Sequence, residues 1–206
     1  PGVVCFNQQA ADIFNNAGCQ VQTDQENAGA WRVRIPAKVV LQAIDTAPSQ
    51  VILGARDPQK ALFLDANVPQ VYFGTGSETN IYLRTEMAEF VKKDDPSVSR
   101  SVPVFTQERG SIRNLCESAK LCNALPNVDF FIRNVNIQDD GITPENKDVN
   151  IFFAALLHMT KHVQAGLVNP ERLEHVLTLA EILAGGVEEL RRNPIVSFIT
   201  CLIKSP

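Results

Sequence analysis

Residues 160–203, TKHVQAGLVNPERLEHVLTLAEILAGGVEELRRNPIVSFITCLI, hold two β-type runs on either side of one amphipathic helix. The runs are 162–168 and 195–203. Asn169-Pro170-Glu171 is a helix start: Asn can cap, Pro has the φ of a first helical turn, and the acid suits the positive helix end. Leu173, Val176, Leu177, Ala180 and Leu183 recur at helical spacing and share one face. Gly185-Gly186 stops the helix. The run at 195–203 is almost continuously apolar, as expected of a strand covered on both faces. A strand, a helix and a second strand of this kind make a parallel pair.

Working outward, 128–132 is another β-type run, and a helix around 149–159 follows it. Strand starts at 128, 162 and 195 lie 34 and 33 residues apart. A barrel of roughly 250 residues in eight units needs about 31 per unit. An earlier extended piece at 71–73 precedes the next strand start by 57 residues, and that gap holds a polar excursion at 86–100. Before α/β alternation begins, Thr106 can cap a helix with the stripe Ile112, Leu115, Ala119 and Cys122. Residues 6–17 read as a helix through Ala10, Ile13, Phe14 and Ala17, closed by Gly18. Pro36 suits the first turn of a second helix through Val39, Val40, Ala43 and Ile44. Short extended pieces at 51–55 and 61–64 come next, set off by Gly, Asn, Asp and Pro. The expected fold is α/β. Residues 1–70 form a lead-in of helices and short antiparallel strands, and residues 71–206 form the first half of a TIM (β/α)8 barrel, truncated after about four parallel strands. An open doubly wound sheet competes, but the Gly-rich loop carries no GxGxxG fingerprint.

Composition narrows the function classes. The net charge of −4 argues against binding a phosphate backbone, so no nucleic-acid partner is expected. The longest apolar run, at 151–157, is too short to span a bilayer. The N-terminal residues lack the basic and apolar regions of a signal peptide. Five cysteines without a CxxC pair read as reduced thiols in a cytoplasmic setting.

In either α/β architecture, function sits at the C-terminal ends of the strands. That rule selects 74–78, 134–139, 165–169 and 200–206. Gly74, Thr75 and Gly76 let a backbone approach a ligand closely. Glu78 is either a solvated turn carboxylate or one that faces a cationic substrate, with Tyr72 or Phe73 adding an aromatic face. A phosphate cradle would want a P-loop Lys, which the loop lacks. Asn136 and Gln138 can offer neutral hydrogen bonds to the same mouth. His158 and His162 are four apart, but Lys161 intervenes and the helix ends between them, so no metal site is expected. Cys116 and Cys122 read as core.

Several stretches, in order, resemble the trimethylamine methyltransferase family. They are QENAGAWRVRIPAKVVLQAIDTAPSQVILGARDP at 25–58, QVYFGTGSETNIY at 70–82, AKLCNALPNVDF at 119–130, ALLHMTKHV at 155–163 and RRNPIVSFITCLIKSP at 191–206. The resemblance runs from Gly18 to the last residue. It implies a TIM barrel that takes a methyl group from a methylated or quaternary amine, such as trimethylamine or glycine betaine, and passes it to the cobalt of a separate corrinoid protein. No cofactor would be bound directly. Gly74, Thr75 and Gly76 match the loop after the family's first strand, and Glu78 stands where an Asp is often found. His162 stands for a Pro, Leu202 for another Pro, and the 86–100 excursion is longer than the family's turn. Pyrrolysine, present in some members, and the catalytic residues would fall in a C-terminal half, so this fragment alone is expected to be inactive. Its exposed last strand favours association, so a homo-oligomer is allowed. The alternatives are a non-catalytic quaternary-amine binding protein and a barrel enzyme of another substrate class, such as one using phosphorylated metabolites.

Overall fold

The computed structural model describes residues 2–199. It divides into two compact units, Pro1–Ser49 and Gln50–Pro206.

In the first unit, β1 (Val3–Cys5), α1 (Gln8–Asn16), β2 (Gln20–Thr23), β3 (Trp31–Arg34) and α2 (Ala37–Thr46) follow in order. The strands form an antiparallel sheet of order β1-β3-β2, which sequence reading missed. These strands are short and mostly polar, with Val33 their one fully buried side chain, so they lack an apolar signature. Side-chain chemistry closes the β2–β3 turn instead. Asp24 accepts from the Glu26 and Asn27 amides, the Asn27 side chain and Arg32 Nε. These donors, Asn27 first, hold the Asp24 carboxyl below the usual carboxylate range. The two expected helices form. Asn7 caps α1, and Gly18 takes a φ of +86° just past its end, a conformation that glycine adopts without a Cβ clash.

The second unit begins with an antiparallel hairpin, β4 (Gln50–Leu53) and β5 (Leu62–Asp65), which sequence reading grouped with the lead-in. Then come β6 (Ile81–Lys92), β7 (Asp95–Arg109), α3 (Ile112–Ala124), β8 (Phe130–Ile132), α4 (Lys147–His158), β9 (His162–Gly166), α5 (Leu173–Ala184), α6 (Val187–Arg192) and β10 (Val196–Ile199). Strands β8, β9 and β10 form a parallel sheet in that order, with helices in each connection. The part of the expected last strand beyond 199 lies outside the described residues. Three parallel strands in chain order occur both in a barrel wall and in an open sheet.

Two expectations change. The piece at 71–73 is not a strand. The Asp129 carboxylate takes the Phe73 amide at 2.7 Å, which interrupts a regular ladder. The chain touches the edge of β8 through isolated parallel bridges, Gly74 to Phe130 and Thr79 to Val135. Thr106 is also not a cap: it lies in β7 opposite Arg84. The cap is Ser111, which exchanges hydrogen bonds with Asn114 in a capping box. The stripe read for that helix holds, since Leu115, Ala119 and Cys122 are buried. The excursion at 86–100 is the outer part of a two-stranded ribbon, β6–β7, turned at Lys93-Asp94.

The core lies between the parallel sheet and its helices. Leu115, Phe131, Phe152, Leu156, Val163 and Val176 are fully buried there. Phe152 and Phe198 meet at 5.5 Å in a tilted pair. Polar side chains then tie helix ends to strands. Lys161 Nζ donates to the carbonyls of Cys122, Leu125 and Val128, at and beyond the end of α3. Arg56 does the same for Leu156 and Met159 at the end of α4. The Asn193 side chain acts like a strand partner: its oxygen accepts from the Ala55 amide at 3.0 Å and its nitrogen donates to the Ala55 carbonyl at 2.7 Å. Gly54 has no room for a Cβ there, because one would meet the Asn193 backbone at 2.5 Å.

Candidate functional site

Loop 74–80 lies along the whole edge of β8, from Phe130 at its start, and its later residues, with Thr79 beside Val135, lie past the C-terminal end of that strand. Gly74 is required by contact, since a Cβ there would meet the Phe130 ring at 2.4 Å. The Thr75 hydroxyl donates to the Ile132 carbonyl at 2.6 Å and accepts from its amide at 2.8 Å. It therefore completes the strand edge. Gly76 is exposed, and a Cβ there would meet nothing within 4 Å, so no contact in this chain demands glycine at that position.

Asn136 and Gln138 both reach Asn80. The Asn136 side chain donates to Asn80 Oδ1 and the Gln138 side chain to the Asn80 carbonyl, each at 2.8 Å. Backbone bonds extend the seam: Thr79 donates to Asn134, and Asn136 donates to Thr79. So five of the six candidate residues meet along one seam through direct contacts, Glu78 among them, while Gly76 makes no such contact. Thr75, Asn136 and Gln138 fix the loop in place rather than pointing free donors outward.

Glu78 pairs with Arg133, the first residue after β8. Arg133 is 8% exposed and one of its terminal nitrogens has no partner among the described residues. Burial lowers its affinity for the proton while Asp148 raises it, and a guanidinium stays charged throughout. A cation drawn to Glu78 would therefore meet a carboxylate that already shares its charge. Asp148, in the first turn of α4, is buried and accepts from the amides of Val168 at 2.9 Å and Asn169 at 2.8 Å. It thereby anchors the loop after β9, one of the segments selected by position. Lys147 beside it is held below the usual lysine range by burial and by the Arg133 charge. Two acids and two bases thus sit near the strand ends, with Glu78 and Arg133 in direct contact.

His158 ends α4 and His162 begins β9, so the pair does not share a face. Among the described residues no cluster of three or more His, Cys, Asp or Glu is placed to hold a metal. His162 is buried, with Nδ1 at 2.8 Å from the Gly54 carbonyl and Nε2 at 2.8 Å from the Ser197 hydroxyl. Burial keeps it neutral below its ordinary range. His162 is level with Phe130, the residue that Gly74 bridges, so these contacts lie near the starts of the strands, where they bind the segment after β4 to the sheet. The 200–206 segment lies outside the described residues.

Against known proteins, residues 1–89, which include the Gly74–Glu78 loop, match the family model described as trimethylamine methyltransferase (MTTB). This chain is similar to the trimethylamine methyltransferases. Over nearly its whole length it is 29% identical to trimethylamine methyltransferase MttB1 of Methanosarcina mazei, covering 98% of this chain and 36% of the relative. It is 27% identical to MttB of Desulfitobacterium hafniense, over 97% and 35%. To MttB of Methanosarcina thermophila it is 28% identical, over 98% and 37%. The chain spans about a third of the length of these curated relatives. Among the described residues no helix is long and apolar enough to cross a membrane.

The Lys161 of ALLHMTKHV closes the end of α3, and the Arg56 of GARDP closes the end of α4. Sequence reading missed Arg133 and Asp148. A charged residue directly after an apolar strand run is the one available signal for Arg133. Nothing local distinguishes Asp148 from an ordinary first-turn acid.

Proposed function

We propose that this chain is the N-terminal part of a methyltransferase that moves a methyl group from a methylated or quaternary amine, of the trimethylamine or glycine betaine class, to the cobalt of a separate corrinoid protein. In this reading β8, β9 and β10, with residues 74–79 along their edge, begin a (β/α)8 barrel whose remaining wall comes from further sequence. The observation that carries it is the likeness to proteins named trimethylamine methyltransferase over 97–98% of the chain. The seam is its structural support, because it lies where barrel enzymes keep their chemistry.

The corrinoid, a partner's group and here a co-substrate, supplies the nucleophile that receives the methyl carbon. The donor's carbon–nitrogen bond breaks, and the nitrogen keeps the electron pair. A quaternary nitrogen leaves as a neutral tertiary amine and needs no proton, whereas trimethylamine reacts as its trimethylammonium ion, whose own proton lets dimethylamine leave neutral. The work left for this chain is to orient that bond and exclude water. Its seam suits such work. Glu78 is engaged by Arg133, and Asp148 by two amides, so these carboxylates brace the loops rather than stand free as acids.

The test uses the full-length protein with a reduced corrinoid protein and either trimethylamine or glycine betaine, read by the change in cobalt absorbance on methylation. Transfer from one of these donors is expected. Amine binding without transfer would replace this reading with that of a binding protein. The 206-residue chain by itself is expected to transfer nothing.

A further inference from the structure

The β6–β7 ribbon is two-stranded, with 12 and 15 residues in its strands. Side chains alternate between its two faces. Tyr82, Ala88, Val102 and Glu108 are half-buried and share one face. The other face is open and apolar: Leu83 is 56% exposed, Met87 64% and Phe105 61%.

The register of that open face is symmetric. Thr85 pairs with Phe105 at its centre. Two residues to one side is the Leu83 level, and two to the other is the Met87 level. Four residues out stand Arg109, opposite Ile81, and Glu89, opposite Ser101. A two-fold axis across the strands at the Thr85–Phe105 level exchanges these levels strand by strand, so that Glu89 falls over Ile81 and Arg109 over Ser101, with Glu89 and Arg109 of the two copies as diagonal neighbours. Two copies stacked face to face then set Phe105 against Phe105, Met87 against Leu83, and Glu89 within reach of Arg109 across a spacing of about 10 Å. On the opposite face Arg84 and Glu86 satisfy each other at 3.3 Å. Among the described residues, Glu89 and Arg109 have no ion-pair partner.

We propose that the open face of this ribbon is a contact between two copies of the protein, symmetric about Phe105. The acid and the base lie equidistant from the centre, so the face is complementary to itself. The levels that the axis superposes, Ile81 to Glu89, are eight residue steps, and at about 3.3 Å each they give a strip about 26 Å long. Two strands give a width of about 10 Å, so each copy offers about 260 Å², below the roughly 800 Å² of a standard interface. The contact is therefore weak by itself and depends on protein concentration.

The experiment places Phe105→Cys in the full-length protein and applies a short bis-maleimide crosslinker. Thr106→Cys, on the opposite face, is the control, and the unmodified protein gives the background of its native thiols. Dimer crosslinked through the introduced thiol is expected for Phe105→Cys at several times the control yield. Adding Glu89→Arg should lower that yield roughly fivefold, and adding Arg109→Glu as well should restore it. All these positions are exposed, so the fold is expected to survive each change. Equal crosslinking at positions 105 and 106, or a charge reversal without rescue, overturns the proposal.

Discussion

The parallel sheet and the ribbon are opposite solutions to the problem of an extended chain. Strands β8, β9 and β10 have only 3, 5 and 4 residues, yet Phe131, Val163 and Val196 are buried and helices fill each connection. The ribbon has 12 and 15 residues, nearly all exposed. The length of a strand pair therefore does not measure how firmly a sheet is held. Burial of side chains does, and the two regions should respond very differently to the same substitution.

The largest difference is expected from an aromatic truncation in each. Phe131→Ala should cost about 3–5 kcal/mol, because it leaves a cavity in a closed core. Phe105→Ala should stay within about 0.5 kcal/mol. Urea unfolding of both variants checks the contrast, and comparable losses would break it. Next comes the seam. Glu78→Gln removes the charged partner of a buried guanidinium and should cost about 2 kcal/mol. Glu78→Gln with Arg133→Met should recover part of that loss, and a double-mutant cycle measures the coupling. Strict additivity would remove the pair from the seam's support.

A smaller effect concerns pH. His162 has its folded-state pKa lowered by burial, so the unfolded chain takes the proton more readily. Stability from this residue is complete above the ordinary histidine pKa of about 6.5 and is lost as pH falls below it. The urea midpoint should drop between pH 7.5 and pH 5.5, and His162→Gln should flatten that slope. The smallest effect is expected at the ribbon's outer end. Val91→Lys changes an exposed side chain and should shift stability by less than about 0.5 kcal/mol. A larger loss would show that the ribbon is covered by something.

The same contrast decides what the sequence made legible. The parallel strands and helices α3 to α5 announce themselves because apolar runs and 3.6-residue stripes are what burial requires. Asn169 does accept from the Glu171 amide, although a short 3-10 turn at Pro170–Arg172 precedes α5. The ribbon hid because the Glu, Lys and Asp residues among its alternating apolar ones read as a polar excursion. Gly74 was legible as a close approach, though what it approaches is the Phe130 ring. The Glu78–Arg133 pair was not legible, because its partners are 55 residues apart and only folding brings them together.

The Asn193 side chain that imitates a strand beside Ala55 has a consequence in time. Its two bonds join residues 138 apart, so they close one of the largest loops in the chain. Contacts of such separation form late in folding. During synthesis at about 5–20 residues per second, the hairpin at Gly54–Arg56 waits roughly 7–28 s for residue 193 to be made. Until then its backbone groups are open to water, chaperones and other chains, and the hairpin is fastened only when the segment leading into β10 arrives.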